Sequence, residues 1–432
     1  MSSFFAQTKD NMRYLHADMS KLSPKKRRKK RKAISTLWGL GLVLVQLIVM
    51  LLFMFQILKL NMIPAKYLIM IGVVLVLLLL YNFTTQFTSA SIFGKILSVL
   101  LSITMIFGFF FTAKVNATLS QITNSGNEGQ AAGAYKKLNE EPFIIYLSGM
   151  DDEGQVTLYG HNDVNIYVVC NPKTRQILLV TTPRDAYVHM TGNGGKSGLD
   201  KLTHAGNAGV DEAMSVLENI YGIAADYYVR LNFTGCVNIV DALGEITVNS
   251  DVDFTNGTDA WDKQFHYVKG ENKLNGEQTI AYVRERQAFN DGDFQRGRNQ
   301  EAALEGIINK VTSPSILLNY SAVLDSVSEM MLTSMPTSAI STLVKDQLSD
   351  TTPWNIQSYS VEATPDEKPQ NGQVWGTIGM DVVRLKDDSV EMAVQLMNKI
   401  KGGETFNVDE FVEQATSKTA TQQATTGATT KY

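Results

Sequence analysis

The residues most able to do chemistry in this sequence are charged side chains that flank short apolar runs. Asp151 and Asp152 follow the run 143–147, and Asp163 shortly precedes the run 165–170. Carboxylates at adjacent strand ends can hold a hard cation such as Mg²⁺, whereas loop aspartates otherwise serve as turn formers. Spacing alone leaves both interpretations open.

A second set of candidates is rich in arginine. Arg184 follows the apolar run 176–181, and Arg284 and Arg286 are separated by one residue. In an extended segment, residues i and i+2 point to the same face, so this pair is expected to act together. Guanidinium groups bind phosphate oxygens in a bidentate geometry, which makes an anionic ligand the natural partner.

The segment after this pair continues the pattern. Arg296 and Gln300 are four residues apart, so they share a face if the segment is helical. Asp293 is placed to cap that helix, whose N-terminal amides would attract an anion. The alternative is a set of solvated ion pairs between the arginines and Glu285, Asp291 and Asp293, and the charge pattern does not decide between the two.

Other common catalytic motifs are missing. The sequence has no GxxxxGK[ST], GxSxG, HExxH or CxxC motif, and its five histidines lack metal-ligand spacing. His204 is interpreted as a turn or core histidine. Cys170 and Cys236 form either a disulfide, which export would permit, or two small buried hydrophobic residues.

The N-terminal quarter of the chain has the character of a membrane anchor. The chain has 432 residues, of which 19% are charged, yet three long windows contain no charge: 33–58, 67–94 and 96–113. About 20 apolar residues span a bilayer, so we predict three transmembrane helices, near 35–58, 65–83 and 94–115. Nine basic residues within 21–32 predict a cytoplasmic N-terminus and an extracellular remainder.

The charge balance reflects this division. Residues 1–32 have a net charge of +9 and the whole chain −4, so the remainder has −13. An acidic outer part does not favour binding of nucleic acid. The basic run is interpreted as a topology signal that also attracts anionic lipid, with non-specific DNA binding as the alternative.

Five segments are predicted from composition: a basic cytoplasmic N-terminus, three transmembrane helices, an extracellular stalk, a globular domain and a disordered Thr/Ala-rich tail, at 1–33, 34–116, 117–139, 140–402 and 403–432. Within the domain, strands alternate with amphipathic helices, which is typical of a mixed α/β (α+β) layered fold. Strands are predicted at 143–147, 165–170, 176–181, 226–231 and 246–248. Helices are predicted at 210–221, 233–243, 275–282, 298–311, 316–331 and 340–348, with 283–286 extended.

Arginines and aspartates held just above a bilayer imply an anionic substrate, a phosphate or diphosphate carried on a lipid. The segments SGMDD, HNDVNIYVV, TTPRD, DKLTHAGNAG, LNGEQTIAYVRER and DGDFQRGRNQ occur in an order and spacing that resemble the LytR-CpsA-Psr family of Gram-positive cell-wall glycopolymer ligases. Three spans are most similar to its CpsA-type capsule branch, although the accessory external domain of that branch is absent. The resemblance implies a central sheet flanked by helices, with a hydrophobic tunnel for lipid.

The resemblance also implies a reaction. A capsule polysaccharide or teichoic acid-like polymer would pass from undecaprenyl diphosphate to peptidoglycan, forming a phosphodiester bond. Asp151 and Asp163 would bind Mg²⁺ or Mn²⁺. The diphosphate would be bound by Arg184, Lys201, Arg284, Arg286, Arg296 and Gln300, with Asp293 among the catalytic residues. At 161–163 the family often has Arg-Ser-Asp, and this chain has His-Asn-Asp.

The expected partners are the lipid-linked glycan, peptidoglycan, membrane lipid and capsule-assembly proteins, and nucleic acid is not expected. Three other functions fit parts of the sequence. A prenyl-diphosphate phosphatase would use water as the acceptor, a membrane-tethered transcriptional regulator would act through the basic N-terminus, and a scaffold would only gather capsule-assembly enzymes. The base that takes the acceptor proton is left open between Asp185 and Asp293.

Overall fold

A computed structural model describes residues 22–88, 90–124, 138–150, 155–290, 292–313, 323, 326, 330–370 and 374–427. The chain divides into two compact units, Met1–Lys114 and Val115–Tyr432.

Among the described residues, three helices are long and apolar enough to cross a membrane: α1 Pro24–Leu60, α2 Ala65–Thr85 and α3 Ser91–Asn124, the last of which continues past the end of the first unit. Helix α1 begins inside the basic run, because lysine and arginine are good helix formers. Helix α3 continues to Asn124, so the predicted stalk at 117–139 starts as helix, and residues 125–137 lie outside the described part.

Buried polar side chains join these helices. The amide nitrogen of Asn82 donates to Oε1 of Gln46 at 3.0 Å, and the hydroxyl of Ser98 donates to the same oxygen at 2.8 Å. Since an unsatisfied polar group is costly in lipid, these shared hydrogen bonds favour one register of the three helices.

The second unit is built on a six-stranded mixed sheet in the order β11-β6-β1-β2-β3-β12. Its strands are β1 Phe143–Met150, β2 Val164–Asn171, β3 Gln176–Thr181, β6 Tyr227–Asn232, β11 Met331–Thr333 and β12 Asn355–Ser360. Strand β2 is antiparallel to β1 and β3, whereas β6 is parallel to β1 and β12 is parallel to β3. Their β-branched and aromatic residues favour a pleated, buried surface.

Shorter strands form pairs outside this sheet: β4 Tyr187–Thr191 with β5 Ser197–Lys201, β7 Ile246–Ser250 with β10 Gly270–Leu274, β8 Phe254–Thr255 with β9 His266–Tyr267, and β13 Ala363–Pro365 with β14 Val383–Leu385. The helices are α4 Leu202–Ala205, α5 Val210–Tyr221, α6 Phe233–Leu243, α7 Gly276–Arg284, α8 Asp293–Thr312, α9 Thr337–Ser349, α10 Asp387–Gly402 and α11 Val408–Gly427.

Helices cover both faces of the sheet. On one face, buried residues such as Tyr146 and Leu178 pack with residues of α5 and α10. On the other face, Ile166 and Leu179 pack with residues of α8 and α9. A second, smaller core joins α6, α7 and the pair β7 and β10. The predicted mixed α/β fold with a central sheet is therefore confirmed.

Two local expectations differ from the structure. The segment 283–286 was expected to be extended, but Arg284 is the last residue of α7. Helix α8 begins before the predicted 298, and its N-cap is Gly292, which takes a positive φ of 47°, so Asp293 is the first helical residue instead of the cap. The helix predicted at 316–331 falls mostly outside the described residues.

The tail at 403–432 was predicted to be disordered, and this is wrong for 408–427, which form α11. Val408 is buried, and Phe406 and Phe411 pack against the core. These apolar residues anchor the segment before its Thr-rich part begins. The average composition of the tail does not show them, because polar residues outnumber them. Residues 428–432 lie outside the described part. Cys170 and Cys236, whose pairing the sequence left open, are both free thiols.

Candidate active site

The candidate site lies at one edge of the central sheet, where β1 and β3 end and β2 begins. Because β2 and β3 are antiparallel, Ile166 pairs with Thr181 at this edge. The backbone amide of Asp163 donates to the carbonyl of Gly149 at 2.7 Å. The segments that carry Asp163 and Arg184 therefore meet here, although they are far apart in the sequence.

Four side chains form an alternating row of charge, which we call the charged row: Asp163, Arg184, Asp185 and Lys201. Nη1 of Arg184 contacts the carboxylate of Asp163, and its Nε lies 3.8 Å from Oδ2 of Asp185. The other carboxylate oxygen of Asp185 contacts Nζ of Lys201. Each side chain has at most 22% of its surface exposed. The carboxylates thus fix two cations in place for an anionic ligand.

A cavity of ≈ 50 Å³ separates the charged row from α8. Its lining includes Asp163, Arg184, Asp185, Phe294, Arg296, Gly297 and Gln300. The shared face expected from the i, i+4 spacing of Arg296 and Gln300 agrees with this position. One water needs about 10–15 Å³ by this measure, so the cavity has room for a phosphate-sized group and not for a glycan.

Hydrogen bonds from buried amide side chains position α8. Nδ2 of Asn299 donates to the carbonyl of Tyr282 at 3.1 Å, and Nε2 of Gln295 donates to Oδ1 of Asp251 at 2.6 Å. Asn299 and Gln295 are almost completely buried. Asn299 holds the helix against the end of α7, and Gln295 holds it against the loop after β7, so the face that carries Arg296 keeps its place beside the sheet edge.

Arg284 and Arg286 do not line this cavity. Arg284 is half-buried, with its guanidinium carbon 5.2 Å from the ring centre of Phe233, whereas Arg286 is exposed. The expectation that both lie on one face of an extended segment is wrong for Arg284. A capping box formed by Asn275 and Gln278 starts α7, and the buried residues that follow continue the helix through Arg284.

Glu285, between these arginines, organises the loop after α7. It is 1% exposed, and its carboxylate accepts hydrogen bonds from the backbone amides of Gly257, Arg286 and Ala288. This carboxylate was expected to form an ion pair as the alternative to ligand binding, and here it satisfies backbone donors. Asp291 and the side chain of Asp293 lie outside the described residues.

Two histidines border the charged row. Nδ1 of His204 lies 2.8 Å from Oδ1 of Asp200, and the ring centres of His161 and His204 are 5.0 Å apart. The backbone amide of Thr203 donates to the carbonyl of Arg184 at 2.9 Å, which ties this segment to the charged row. Burial and the neighbouring His204 lower the pKa of His161.

Comparison with known proteins places the fold and the site motifs in one family. The LytR_cpsA_psr family model matches residues 109–392, about two thirds of the chain. The chain belongs to the LytR-CpsA-Psr family.

Curated relatives in this family share part of the chain. A polyisoprenyl-teichoic acid–peptidoglycan teichoic acid transferase, TagU, of Enterococcus faecalis is 36% identical over 200 residues, which are 46% of this chain and 63% of that protein. TagU of Bacillus licheniformis is 30% identical over 259 residues, 60% of this chain and 77% of that protein. The crystal structure of a Streptococcus agalactiae protein is 26% identical with a TM-score of 0.51, covering 61% of this chain and 89% of that one.

The metal ligands that membership of the LytR-CpsA-Psr family implies are described only in part. Asp163 is 9% exposed at the sheet edge, and Asp151 lies outside the described residues, one position after the end of β1. Over the described ranges, no group of three or more His, Cys, Asp or Glu residues could hold a metal ion. Mg²⁺ commonly takes only one or two carboxylates together with substrate phosphate oxygens, and Asp163 is the one of these two carboxylates that the structure describes.

Arg230 on β6 was not among the residues predicted from the sequence, and its side chain has no exposed surface. Its guanidinium donates to Oγ of Ser148 and to the carbonyl of Gly160, both at 2.9 Å, and also to Oδ1 of Asn162. It therefore holds the loop that precedes Asp163. An arginine inside the apolar run YYVRLN was the available signal, because a charge is rarely buried without partners.

Glu301, one residue after Gln300, predicts a pH dependence of stability. Burial raises its pKa to about 7, although a hydrogen bond from the hydroxyl of Ser360 opposes this. The folded state therefore binds the proton more tightly than the unfolded state. The stabilisation that protonated Glu301 contributes to the folded state is complete below its ordinary pKa of 4.5 and is lost as the pH rises through 7.

Replacing Glu301 by glutamine is expected to remove this dependence. Between pH 5 and pH 8 the unmodified protein should lose roughly 3 kcal/mol more unfolding free energy than Glu301→Gln, at about 1.4 kcal/mol per pKa unit. Thermal unfolding followed by circular dichroism measures this difference, with the exposed Glu271→Gln as control. Parallel pH profiles for the unmodified protein and Glu301→Gln would contradict the prediction.

Proposed function

We propose that this LytR-CpsA-Psr protein is a membrane-anchored phosphotransferase that moves a glycopolymer from undecaprenyl diphosphate to peptidoglycan. The observation that carries the proposal is the small cavity where Arg184 and Arg296 meet beside Asp163. The polymer is a capsule polysaccharide or a teichoic acid-like chain, and the names of the curated relatives favour the latter. The product is a phosphodiester bond to a sugar hydroxyl.

The charged row accounts for how such a reaction is accelerated. A diphosphate repels an incoming hydroxyl, and further negative charge develops on the leaving phosphate during transfer. Arg184 and Arg296 bind the phosphate oxygens in the cavity, and Gln300 contributes an amide donor. Lys201, held by Asp185, adds positive charge at the rim. Mg²⁺, or Mn²⁺, held by Asp151 and Asp163 would neutralise further charge on the diphosphate.

Arg284 and Arg286 have a different place in this proposal. Nε2 of Gln300, which lines the cavity, donates to the carbonyl of Val283 at 3.5 Å. Arg284 is the next residue after Val283, so its backbone lies close to the cavity lining. We assign Arg284 and Arg286 to the outer oxygens of the diphosphate and to the first sugar. We also assign Asp293, the first residue of α8, to completing or bracing this pocket.

A half-buried apolar surface suits the lipid chain. Strand β1 is interior to the sheet, yet Ile145 and Leu147 are only half-buried on the face toward α8 and α9. Val164 on β2 and Leu231 on β6 are half-buried in the same way. Interior strands with helices on both faces normally bury such residues fully, so we assign this surface to the polyprenyl chain.

The membrane arrangement follows from charge. We propose three spans in the cell membrane of a Gram-positive bacterium, with the basic residues of 21–32 in the cytoplasm and residues after Lys114 outside the cell. Peptidoglycan and the lipid-linked glycan are both accessible on that side. Capsule-assembly proteins are further proposed partners.

A transfer assay tests the function. Full-length protein in detergent, supplied with Mg²⁺, lipid-diphosphate glycan and peptidoglycan oligomer, is expected to give a glycan–peptidoglycan conjugate, and EDTA is expected to stop the reaction. Mass spectrometry of the products distinguishes the outcomes. Free phosphorylated glycan without conjugate would identify a phosphatase, and no turnover at all would favour a scaffold.

A further inference from the structure

The proposed transfer needs a group that takes the proton of the acceptor hydroxyl, and the carboxylates of the charged row are poorly suited to this. Asp163 contacts Arg184, and Asp185 contacts Lys201. A carboxylate oxygen that already contacts a cation is not free to accept the proton of a hydroxyl. A base that lies beside the charged row is therefore the better candidate.

His204 has the arrangement of an oriented base. Its Nδ1 is hydrogen-bonded to Asp200, a residue with no exposed surface. Asp200 also accepts from the backbone amides of Trp375 and Lys201 and from the hydroxyl of Thr377, at 2.6, 2.8 and 2.6 Å. Five residues joined in this way leave the imidazole little freedom to turn.

The two ring nitrogens of His204 consequently have different roles. With Nδ1 donating to Asp200, the neutral ring presents the lone pair of Nε2 on its opposite side. Among the described residues, Nε2 has no hydrogen-bond partner, and 10% of the side chain is exposed. Although burial raises the pKa of Asp200, its hydrogen bonds from His204, Thr377 and the backbone outweigh that effect and keep the pKa well below its ordinary value.

His204 does not line the cavity, but the backbone beside it is hydrogen-bonded to the candidate site. The backbone amide of Asn162 donates to the carbonyl of Thr203 at 2.9 Å, and that of Thr203 donates to the carbonyl of Arg184. Asp200 contacts the ring at Nδ1, and the ring centre of His161 lies 5.0 Å from that of His204. Beyond them lie the charged row members Asp163, Arg184, Asp185 and Lys201, which act electrostatically on His161 or pair with one another.

We propose that His204, oriented by Asp200, accepts the proton of the peptidoglycan hydroxyl during transfer. The bond that forms joins the hydroxyl oxygen to the phosphorus attached to the glycopolymer, and the bond that breaks joins that phosphorus to the bridging oxygen. The electron pair of the broken bond goes to the lipid monophosphate, which leaves, and the proton moves from the hydroxyl to Nε2 and then to solvent. This inference rests on the proposed function.

The test replaces the base and then supplies it from solution. In the full-length protein, His204→Gln is expected to lower kcat by about 100- to 10,000-fold with little change in KM for the lipid substrate. His204→Ala is expected to regain activity when imidazole is added. His189 is an exposed histidine on β4, so His189→Gln is the matched control. Its kcat should stay within about twofold of that of the unmodified protein, whereas loss of a base lowers kcat by about 100-fold or more.

Each outcome decides one question. If the unmodified protein forms no conjugate, the proposed function fails regardless of His204. If the unmodified protein is active and His204→Gln keeps its kcat within about threefold, the inference is overturned, since loss of a base costs about 100-fold or more. Loss of activity in His204→Ala that imidazole does not restore, with unchanged pH–rate profile in the residual activity of His204→Gln, would assign His204 a structural role and also overturn it.

Discussion

Replacing Arg184 by alanine is expected to reduce conjugate formation by about 100- to 1,000-fold, the usual cost of losing one preorganised donor to developing charge. Arg184 belongs both to the charged row and to the lining of the cavity beside α8. It lines the cavity shared with Arg296, contacts Asp163 and lies beside Asp185. Its loss removes a cation from the phosphate and leaves Asp163 with an unbalanced charge.

This substitution should act on kcat more than on folding. The side chain of Arg184 is 22% exposed and belongs to a loop after β3, so its removal creates no cavity in the core. Measured kcat and KM for the lipid-linked glycan separate the two effects. Arg184→Lys should recover only part of the rate, because an ammonium group cannot bind two phosphate oxygens in parallel.

Arg384→Ala provides the control for this experiment. Arg384 on β14 is paired with Asp366 and 75% exposed, so it removes the same charge from the domain without touching the cavity. Its conjugate formation should match that of the unmodified protein. Equal losses for Arg184→Ala and Arg384→Ala would mean that only the overall charge matters, and would contradict the assignment of Arg184 to the diphosphate.

Replacing Arg230 by leucine is expected to destabilise the second unit by about 2–4 kcal/mol, because each buried acceptor that loses its donor costs about 1–3 kcal/mol. The guanidinium of Arg230 donates to Ser148, Gly160 and Asn162, and its Nε lies 3.1 Å from the sulfur of Met150. Replacing a complete buried ion pair by apolar groups can be neutral. Here only the donor is replaced, so its acceptors stay buried without it.

Thermal and urea unfolding of the full-length protein measure this effect. Arg384→Leu is the matched control, since it introduces the same side chain at an exposed position, and surface substitutions usually change stability by less than about 0.5 kcal/mol. The transfer rate of Arg230→Leu should also fall, because the loop before Asp163 loses its support. A variant as stable as the control would show that this buried charge is not needed to hold the loop.

Much of the architecture was readable from the sequence for physical reasons that are local. Uncharged apolar windows of about 20 residues or more have few soluble alternatives, so the three apolar helices were predictable. The β-branched runs at 143–147, 165–170 and 176–181 became neighbouring strands, because such runs need a buried sheet on both faces. The i, i+4 spacing of Arg296 and Gln300 needed only the geometry of a helix.

Other features depended on contacts between distant segments, which periodicity does not contain. Helix α11 was missed because its anchor is tertiary: the side chain of Gln357 donates to the carbonyl of Phe406 and accepts from the amide of Val408. The buried position of Arg230 depends on acceptors that lie about 70 to 80 residues away in the chain. A local pattern cannot show such partners.

The sequence by itself therefore determined which residues are available for chemistry: acidic and basic side chains at strand ends, on a domain that follows three helices apolar enough to cross a membrane. Tertiary structure decided which of them act together. Antiparallel pairing of β1, β2 and β3 places Asp163 beside Arg184, and buried amides bring α8 and Arg296 to the same cavity. The same packing gave His204 a buried carboxylate partner, Asp200, which Trp375 and Thr377 of the loop at 374–377 also hold.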